Sequence, residues 1–529
     1  MDRAYLSSSR LIISPKSQSA IGAVLLIGFA VAYCWPALTA PFWGDHDAWS
    51  NLLPTIHYRN SILSRHTLPL YTDLWYGGRP QWANPLWNFL YLPSTFIWLV
   101  TPLDWGTRIV FLGHFIFALL VGRSLASLFL QTELEKVLAA IIFSAPLLPA
   151  LAAGHIEKIL SWGWILLGIW FLFNDRLSPA RKGIGVGISL GIIPLTGSNY
   201  YALYAGILFL AVGLAEKDRR MILGLLLGST IGLAHLPSVW SLIGQARANS
   251  MQSIGLYSVD LLGIFTSLST GLARPISWET FAPVGIPVTY LFILSLVKKT
   301  KSGLADRSMA SFLPTERALL VSMLILGSLA TGLAYRGHDA LNTFRVPARA
   351  LAFLALTLTI FVLINIGRGS KITNRGNSAA PLLSLSVVQV VMVAWILFRP
   401  AGSLHSPYDM VAQSLTNTLT TDGAQSVWVS TRELSDMYIH ANLTENGVGL
   451  PNVYYGDMGQ KVEIAGDHCG YSFDHLIAIA PLDSEYVDLQ AAMEWSDTEG
   501  RVPLSDLILI KREKIGNKNY NVYRVVCNQ

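Results

Sequence analysis

The chain is 529 residues long, with 52% of them apolar and only 13% charged. Ordinary soluble domains carry roughly 25% charged residues, so this composition excludes a disordered chain and argues against a soluble enzyme. Lys plus Arg is 38 and Asp plus Glu is 33, and the net charge of +5 is too small and too scattered to imply a nucleic-acid partner.

The mean hydropathy is +0.44, and the apolar residues fall into blocks of about 15–22, the length a helix needs to cross a bilayer core. Residues 1–19 carry Arg3, Arg10 and Lys16 and lead into an apolar run from Ala20 to Ala40. A signal peptide has this outline, but no small-x-small cleavage site follows and many further spans do. The run therefore reads as a retained first helix with its N-terminus inside, and Cys34 within it as a small packing residue.

Directly after it stands Trp43-Gly44-Asp45-His46-Asp47. Two carboxylates two residues apart at a membrane surface can share a metal, or one can act as a base tuned by the other. A solvated turn explains the same residues. Residues 50–66 predict an amphipathic surface helix with Leu52, Leu53, Ile56, Ile62 and Leu63 on its apolar side. Further along, Trp75-Tyr76-Gly77-Gly78-Arg79-Pro80-Gln81-Trp82-Ala83-Asn84-Pro85 combines glycines that permit close backbone approach with two donors, Arg79 and Asn84. The plainer alternative is a membrane-hugging turn into the next segment.

Candidate spans follow near 107–129, 136–152, 158–173, 183–195, 199–215, 221–240, 283–297, 318–334, 346–366 and 380–398. The connections 174–183, 216–220, 298–317 and 367–379 are basic, whereas 196–199, 241–282 and 335–345 hold few Lys or Arg. The positive-inside rule puts the first set in the cytoplasm. Parity then works if 85–103, which carries Pro85, Pro93 and Pro102, is re-entrant or surface-lying. The alternative is that 85–103 spans and another segment does not. The preferred reading is about eleven crossings, a long first outer loop over 41–106, and a C-terminus outside.

Two outer connections carry further chemistry. Gly154-His155-Ile156-Glu157-Lys158 sits on a short turn between apolar helices. Glu157 and Lys158 can be paired interface residues, or can share a cavity with Asp45 on the same face. The stretch from His338 to Arg349 enters a late span, and Arg345 and Arg349 lie on one face if the helix has begun, with Pro347 suited to a first turn. Two guanidiniums at a membrane surface can clamp a phosphate bidentately; headgroup snorkelling is the alternative.

From about Pro400 the composition changes. Strand-like runs at 426–429, 476–480, 507–511 and 520–526 alternate with expected helices near 408–420, 433–442 and 484–495. Cys469 and Cys527 lie here and can pair if the region is extracytoplasmic, or remain apart. The fold class is thus an α-helical polytopic membrane protein of about 11–13 transmembrane helices with a small C-terminal extracytoplasmic α/β domain. The boundaries are 1–399 for the membrane part and 400–529 for the tail.

An acidic pair after the first span, Leu68-Pro69, Gly77-Gly78-x-Pro80 with Asn84-Pro85, Gly154-His155-Ile156 and Phe344-Arg345-x-Pro347-x-Arg349, in this order, resemble the GT-C membrane glycosyltransferases, and among them a YfhO-like bacterial branch. The resemblance covers roughly residues 20–366, much of it as hydropathy order. It implies a polyprenyl-phosphate-linked sugar donor and chemistry on the extracytoplasmic face of the cell (plasma or inner) membrane. It also implies a catalytic base at Asp45, with Asp47 a close second. The family's second acidic site is often an aspartate; here His155-x-Glu157 stands in its place, which puts a metal role for Glu157 in doubt.

The expected function is an inverting glycosyltransferase that moves a sugar from a lipid phosphate to a glycan, lipid or protein acceptor. Asp45 and Asp47 are its catalytic candidates. Arg79, Asn84, His155, Glu157, Arg345 and Arg349 are its substrate-binding candidates. A divalent metal ion is left open as cofactor. The rivals are a transporter or flippase for lipid-linked sugars, whose pointer would be repeat-related broken helices, and a non-catalytic scaffold.

Overall fold

The computed structural model describes residues 15–39, 42–43, 46–72, 79–83, 87–237, 258–271, 280–305, 312–333, 347–373, 379–398, 402–403 and 407–425. In the tail it describes 427–430, 475–478, 486–489, 500–503, 507–515 and 518–526.

The apolar blocks form helices. The first is α1 (Pro15–Thr39). After α2 (His46–Leu63) and α3 (Leu92–Val100) comes α4 (Leu103–Ala126). A broken pair follows, α5 (Glu133–Ser144) and α6 (Leu147–Ala153), then α7 (Ile156–Phe173), α8 (Pro179–Leu195), α9 (Asn199–Ala215) and α10 (Arg219–Ser229). Helices Leu261–Thr270, Ile286–Ala305, Pro314–Ala330, Ala350–Thr373 and Ala380–Leu397 complete the bundle.

Among the described residues, five of these helices are long and apolar enough to cross a membrane, six if the bent pair counts as one span. Two of the expected blocks are broken, while Asn199–Ala215 and Pro314–Ala330 are unbroken apolar helices of 17 residues. The block 136–152 bends by 51° between α5 and α6. Pro146 and Pro149 lie at and just beyond the break, where a proline ring removes a backbone donor and clashes with the preceding turn. The block 221–240 passes from α10 into a 3₁₀ turn at Thr230–His235. Within 85–103 the helix α3 has nine residues. It rises only about 14 Å, less than half of a roughly 30 Å hydrocarbon core.

The contacts sort the helix ends into two groups. Arg123, at the end of α4, pairs with Glu133 and donates to Ser19 Oγ at 2.7 Å, while Arg108, near its start, donates to the Leu38 carbonyl. Hence α1 and α4 run antiparallel. Phe129 meets Phe173 edge-on, so the end of α7 lies beside the end of α4. Lys182 at the start of α8 pairs with Asp175 at 3.0 Å and with Glu216, after α9, at 3.7 Å. Glu135 accepts from the Ala379 amide at 2.7 Å. These junctions share one end. At the other, β1 (Phe42–Trp43) pairs with β4 (Gly402–Ser403), and the Tyr33 hydroxyl donates to the Leu148 and Phe398 carbonyls. The chain therefore enters the tail from the end at which α1 finishes.

α8 and α10 approach backbone to backbone. Gly183, Gly187 and Gly191 face Gly224, Gly228 and Gly232, and a Cβ added to Gly228 would sit 2.6 Å from Ile188 N and 2.7 Å from Ile184 O. Small residues every fourth position allow this approach, the usual device where lipid supplies no hydrophobic drive between helices.

The expected amphipathic surface helix at 50–66 is α2, but its position differs from the expectation. Leu52 and Ile56 are buried, and so are Thr55, His57 and Ser61. α2 packs against α3, α6 and α7, and Arg59 ties it to α3 by donating to the Trp98 carbonyl at 3.1 Å. In the tail, the helix Pro407–Thr421 precedes a four-stranded sheet in the order β5-β6-β10-β9. Its strands are Val427–Ser430, His475–Ala478, Lys518–Val525 and Leu507–Ile515, close to the four strand-like runs of the sequence. The helix expected at 484–495 is replaced by β7 (Tyr486–Leu489), which pairs antiparallel with β8 (Gly500–Pro503). Tyr486 and Val487 favour a strand, and cross-strand pairing overrides the run's weak helical character. The helix expected at 433–442, and Cys469 and Cys527, lie outside the described residues. Cys34 is a buried free thiol.

Candidate functional site

Three of the sequence candidates come together where α7 begins. Gly154 closes α6 in the left-handed region, φ +71°, where a side chain would be strained. The chain then reverses at His155 and starts α7 with Glu157 in its first turn, where a carboxylate suits the helix dipole. His155 and Glu157 are buried, and His155 Nδ1 lies 3.4 Å from Glu157 Oε1. Arg349 comes from the 3₁₀ turn Pro347–Arg349 that leads into Ala350–Thr373, and its Nη1 is 3.9 Å from the same oxygen. At that distance the pair is ionic and not a hydrogen bond. Glu157 thus pairs with His155 from its own turn and with Arg349, so two segments meet at one carboxylate.

A third segment completes the cluster. The Arg349 guanidinium lies over the Tyr200 ring, 4.7 Å from its centroid. A stacked guanidinium is held in one plane and still presents its edge. Ser198, just before α9, donates to the Glu157 carbonyl and lies 3.2 Å from Ser161 Oγ. Beneath these groups Trp162, Tyr201 and Tyr204 pack on Phe353 with ring centroids 5.5–5.7 Å apart. The aromatic layer joins α7, α9 and Ala350–Thr373 under the cluster, so the three charged or polar ends cannot drift apart independently.

A sequence reading that stopped at His155, Glu157 and Arg349 missed Ser198 and Tyr200. The signal was the polar run Ser198-Asn199-Tyr200 in a connection otherwise too short to attract notice.

The remaining candidates are less defined. Asp45, Asn84 and Arg345 lie outside the described residues, and Asp47 in α2 and Arg79 in β3 (Arg79–Pro80) are described in their backbone only. Since the described helical turn starts at Pro347, the shared helix face of Arg345 and Arg349 is a matter of spacing alone. α2, which follows Asp45, packs on α6 and α7, the two helices that flank Gly154-His155. The described residues contain no group of three or more His, Cys, Asp or Glu able to hold a metal. Among the described residues, a guanidinium faces the Glu157 carboxylate and His155 stands beside it.

No protein-family model matches the chain, and no curated protein matches it. Among solved structures, the arabinofuranosyltransferase AftD from Mycobacteria superposes with a TM-score of 0.51 at 14% identity, over 98% of this chain and 42% of that one. The chain has the GT-C fold. It spans less than half the length of AftD. The Archaeoglobus fulgidus oligosaccharyltransferase, solved with zinc and sulfate, gives a TM-score of 0.48 at 12% identity over 87% of this chain and 67% of that one. The same archaeal enzyme with an inhibitory peptide and a dolichol-phosphate gives 0.49 at 12% identity over 87% and 69%. Within a GT-C bundle the Glu157–Arg349 cluster occupies the end at which α7, α9 and Ala350–Thr373 begin.

Proposed function

We propose that this GT-C protein is a membrane glycosyltransferase. It would transfer a sugar, with inversion, from a polyprenyl-phosphate-linked donor to a glycan, lipid or protein acceptor on the extracytoplasmic face. The observation that carries the reading is the Arg349 guanidinium, stacked on Tyr200 and set against Glu157 at a helix-bundle end. A leaving lipid phosphate develops negative charge, and a cation already fixed in plane stabilises it without reorganising. Arg349 takes this role, with Arg345, Arg79 and Asn84 as further donor contacts. Glu157 and His155 hold Arg349 in place. Asp45, ahead of a helix that packs beside the cluster, deprotonates the acceptor hydroxyl, and Asp47 is the alternative base. The fold supports the reading, since AftD by its name transfers a sugar.

The test is Asp45→Asn in purified protein given a polyprenyl-phosphate sugar. The amide keeps the shape and cannot take a proton, so transfer should fall about 10²–10⁴-fold while donor binding stays near that of the parent. Near-normal turnover would remove Asp45 as base and turn attention to Asp47. Loss of donor binding together with turnover would assign Asp45 a structural role.

A further inference from the structure

The sequence leaves 85–103 between a surface-lying and a re-entrant course, and the contacts of α3 with α4 distinguish the two. Two hydrogen bonds set their register. Trp98 Nε1 donates to Thr107 Oγ1 at 3.2 Å, and the Tyr91 hydroxyl, just before α3, lies 2.8 Å from His114 Nε2. As the position on the α3 side falls by seven, from 98 to 91, its partner in α4 rises by seven, from 107 to 114. The two therefore form an antiparallel hairpin, joined through Thr101 and Pro102. α4 is long and apolar enough to cross a membrane. Near its start Trp105 is 59% exposed, as an interfacial tryptophan would be, and near its end Arg123 pairs with Glu133. Between these two residues α4 rises about 27 Å, close to the roughly 30 Å of a hydrocarbon core, and His114 lies midway. Tyr91 is thus level with the middle of a span, and α3 climbs from there to the end at which α4 begins.

The chemistry of the hairpin agrees with that depth. No charged residue stands between Arg79 and Asp104. A helix lying at the membrane surface must show a polar face to water, and α3 shows none. Its buried residues are Ser94, Thr95 and Trp98; those that are not buried, Leu92, Pro93, Phe96, Ile97, Leu99 and Val100, are all apolar. The polar groups turn inward and bond within the chain. Thr95 donates to the Phe89 carbonyl at 2.8 Å, Ser94 to the Tyr91 carbonyl at 3.2 Å, and the Tyr91 amide to the Asn88 carbonyl at 2.9 Å. Trp87 and Asn88, in the non-helical backbone ahead of α3, are buried. Irregular backbone at membrane depth is tolerated where protein buries it in this way. His114 donates from Nδ1 to the Val110 carbonyl at 2.6 Å, so its Nε2 accepts from the Tyr91 hydroxyl, which itself accepts from Trp164 Nε1 at 2.8 Å. This run of donors pins the residues before α3 to both α4 and α7.

We propose that residues 87–101 are a re-entrant arm: its tip, at 87–91, sits at the bilayer midplane, and its Leu92, Phe96 and Val100 face meets the acyl chains of the leaflet at which α4 begins. The Tyr91 hydroxyl is the tie that holds the tip to His114 and Trp164. The assignment does not depend on the sugar chemistry. In a cysteine-free chain reconstituted in phospholipid bilayers, nitroxide labels at Leu92→Cys, Phe96→Cys and Val100→Cys report depth through collisions with oxygen, which favours the bilayer interior, against a nickel complex, which favours water. Depth should increase in steps from Val100 to Leu92, by about 12 Å in all. The Leu92 label should match one at Gly113→Cys, an exposed position next to His114 with open space around an added Cβ. Equal depth at the three α3 positions would return the helix to the membrane surface, and a gradient of the opposite sense would also overturn the arm. Shielding of the Phe96 label from both reagents would give the face to a protein partner instead of lipid. Tyr91→Phe keeps the ring and removes the hydroxyl, so the Leu92 label should gain mobility while the Val100 label does not. Unchanged spectra at both positions would refute the tie.

Discussion

The two ends of the helical bundle both carry charge, but they handle it differently. At the end holding Arg123 and Lys182, each acid or base has an opposite partner: Lys182, 6% exposed, faces Asp175 and Glu216, and Glu133, 17% exposed, is shared by Arg123 and by Lys136 at 3.7 Å. At the end holding Glu157, the side chains of the carboxylate, its histidine and its arginine are 9%, 7% and 14% exposed. Glu157 Oε2 has no hydrogen-bond partner among the described residues. A buried carboxylate so placed is weak evidence for stability, since desolvation offsets its pairing. The contrast is one of partners: Glu133 is shared by two cations, whereas Glu157 keeps one oxygen without a hydrogen bond among the described residues.

The comparison breaks most sharply if the two ends do not face opposite sides of a membrane. In a chain with its three cysteines replaced by serine, a membrane-impermeant thiol reagent applied to intact spheroplasts should label Leu68→Cys and miss Arg176→Cys until the membrane is opened. Both positions are exposed, and they lie in the first long loop and in the connection after α7. Labelling of both, or the reverse pattern, would overturn the orientation read from basic connections, and with it the extracytoplasmic tail.

The seam between α8 and α10 keeps the two ends in register, because α8 carries Lys182 at one end and leads to Ser198 at the other. Gly228→Leu forces the helices apart against backbone atoms 2.6–2.8 Å from the new Cβ. The expected loss is about 1–3 kcal/mol or more, seen as a lower temperature of thermal aggregation in detergent. Gly28→Leu on α1, whose added Cβ meets nothing within 4 Å, should cost far less.

Arg349→Lys and Arg123→Lys sharpen the contrast at smaller scale. Lysine keeps the charge and loses the planar fork and the stacking. At position 349 it should weaken polyprenyl-phosphate affinity about tenfold; at position 123 affinity should not change. Equal affinity in both variants would leave Arg349 as a headgroup anchor.

The smallest effect lies in the tail. Arg524 and His475, which lies 2.9 Å from Asp422, hold the Asp422 carboxyl below the usual carboxylate range. A carboxyl depressed in the folded state stabilises above its unfolded value, about 3.9, and that contribution is lost as pH falls through the folded value. Tails with Asp422→Asn should be cut faster than the parent by protease at pH 7. With an acid-stable protease the difference should shrink as pH falls below about 3.9, and a difference that does not shrink would mean the carboxylate charge is not what holds the clasp.

Much of this protein was legible in one dimension. A bilayer demands long apolar blocks and sorts lysine and arginine between connections, and both constraints act locally along the chain. The sequence alone therefore determined the helical membrane part, the change of character near residue 400 and the main tail strands at 427–430, 475–478, 507–515 and 518–525. It also singled out His155, Glu157 and Arg349. What only the tertiary structure decided is that these three are one cluster. Glu157 and Arg349 are joined by the packing of Trp162, Tyr201 and Tyr204 on Phe353, contacts between segments distant in sequence. Tyr200 stacks under Arg349 for the same reason, and the glycines of α8 and α10 show their use only when the two helices touch. Periodicity and charge report what each segment meets in solvent or lipid; which segments meet each other is set by side-chain shape in three dimensions, and no single stretch of sequence carries that information.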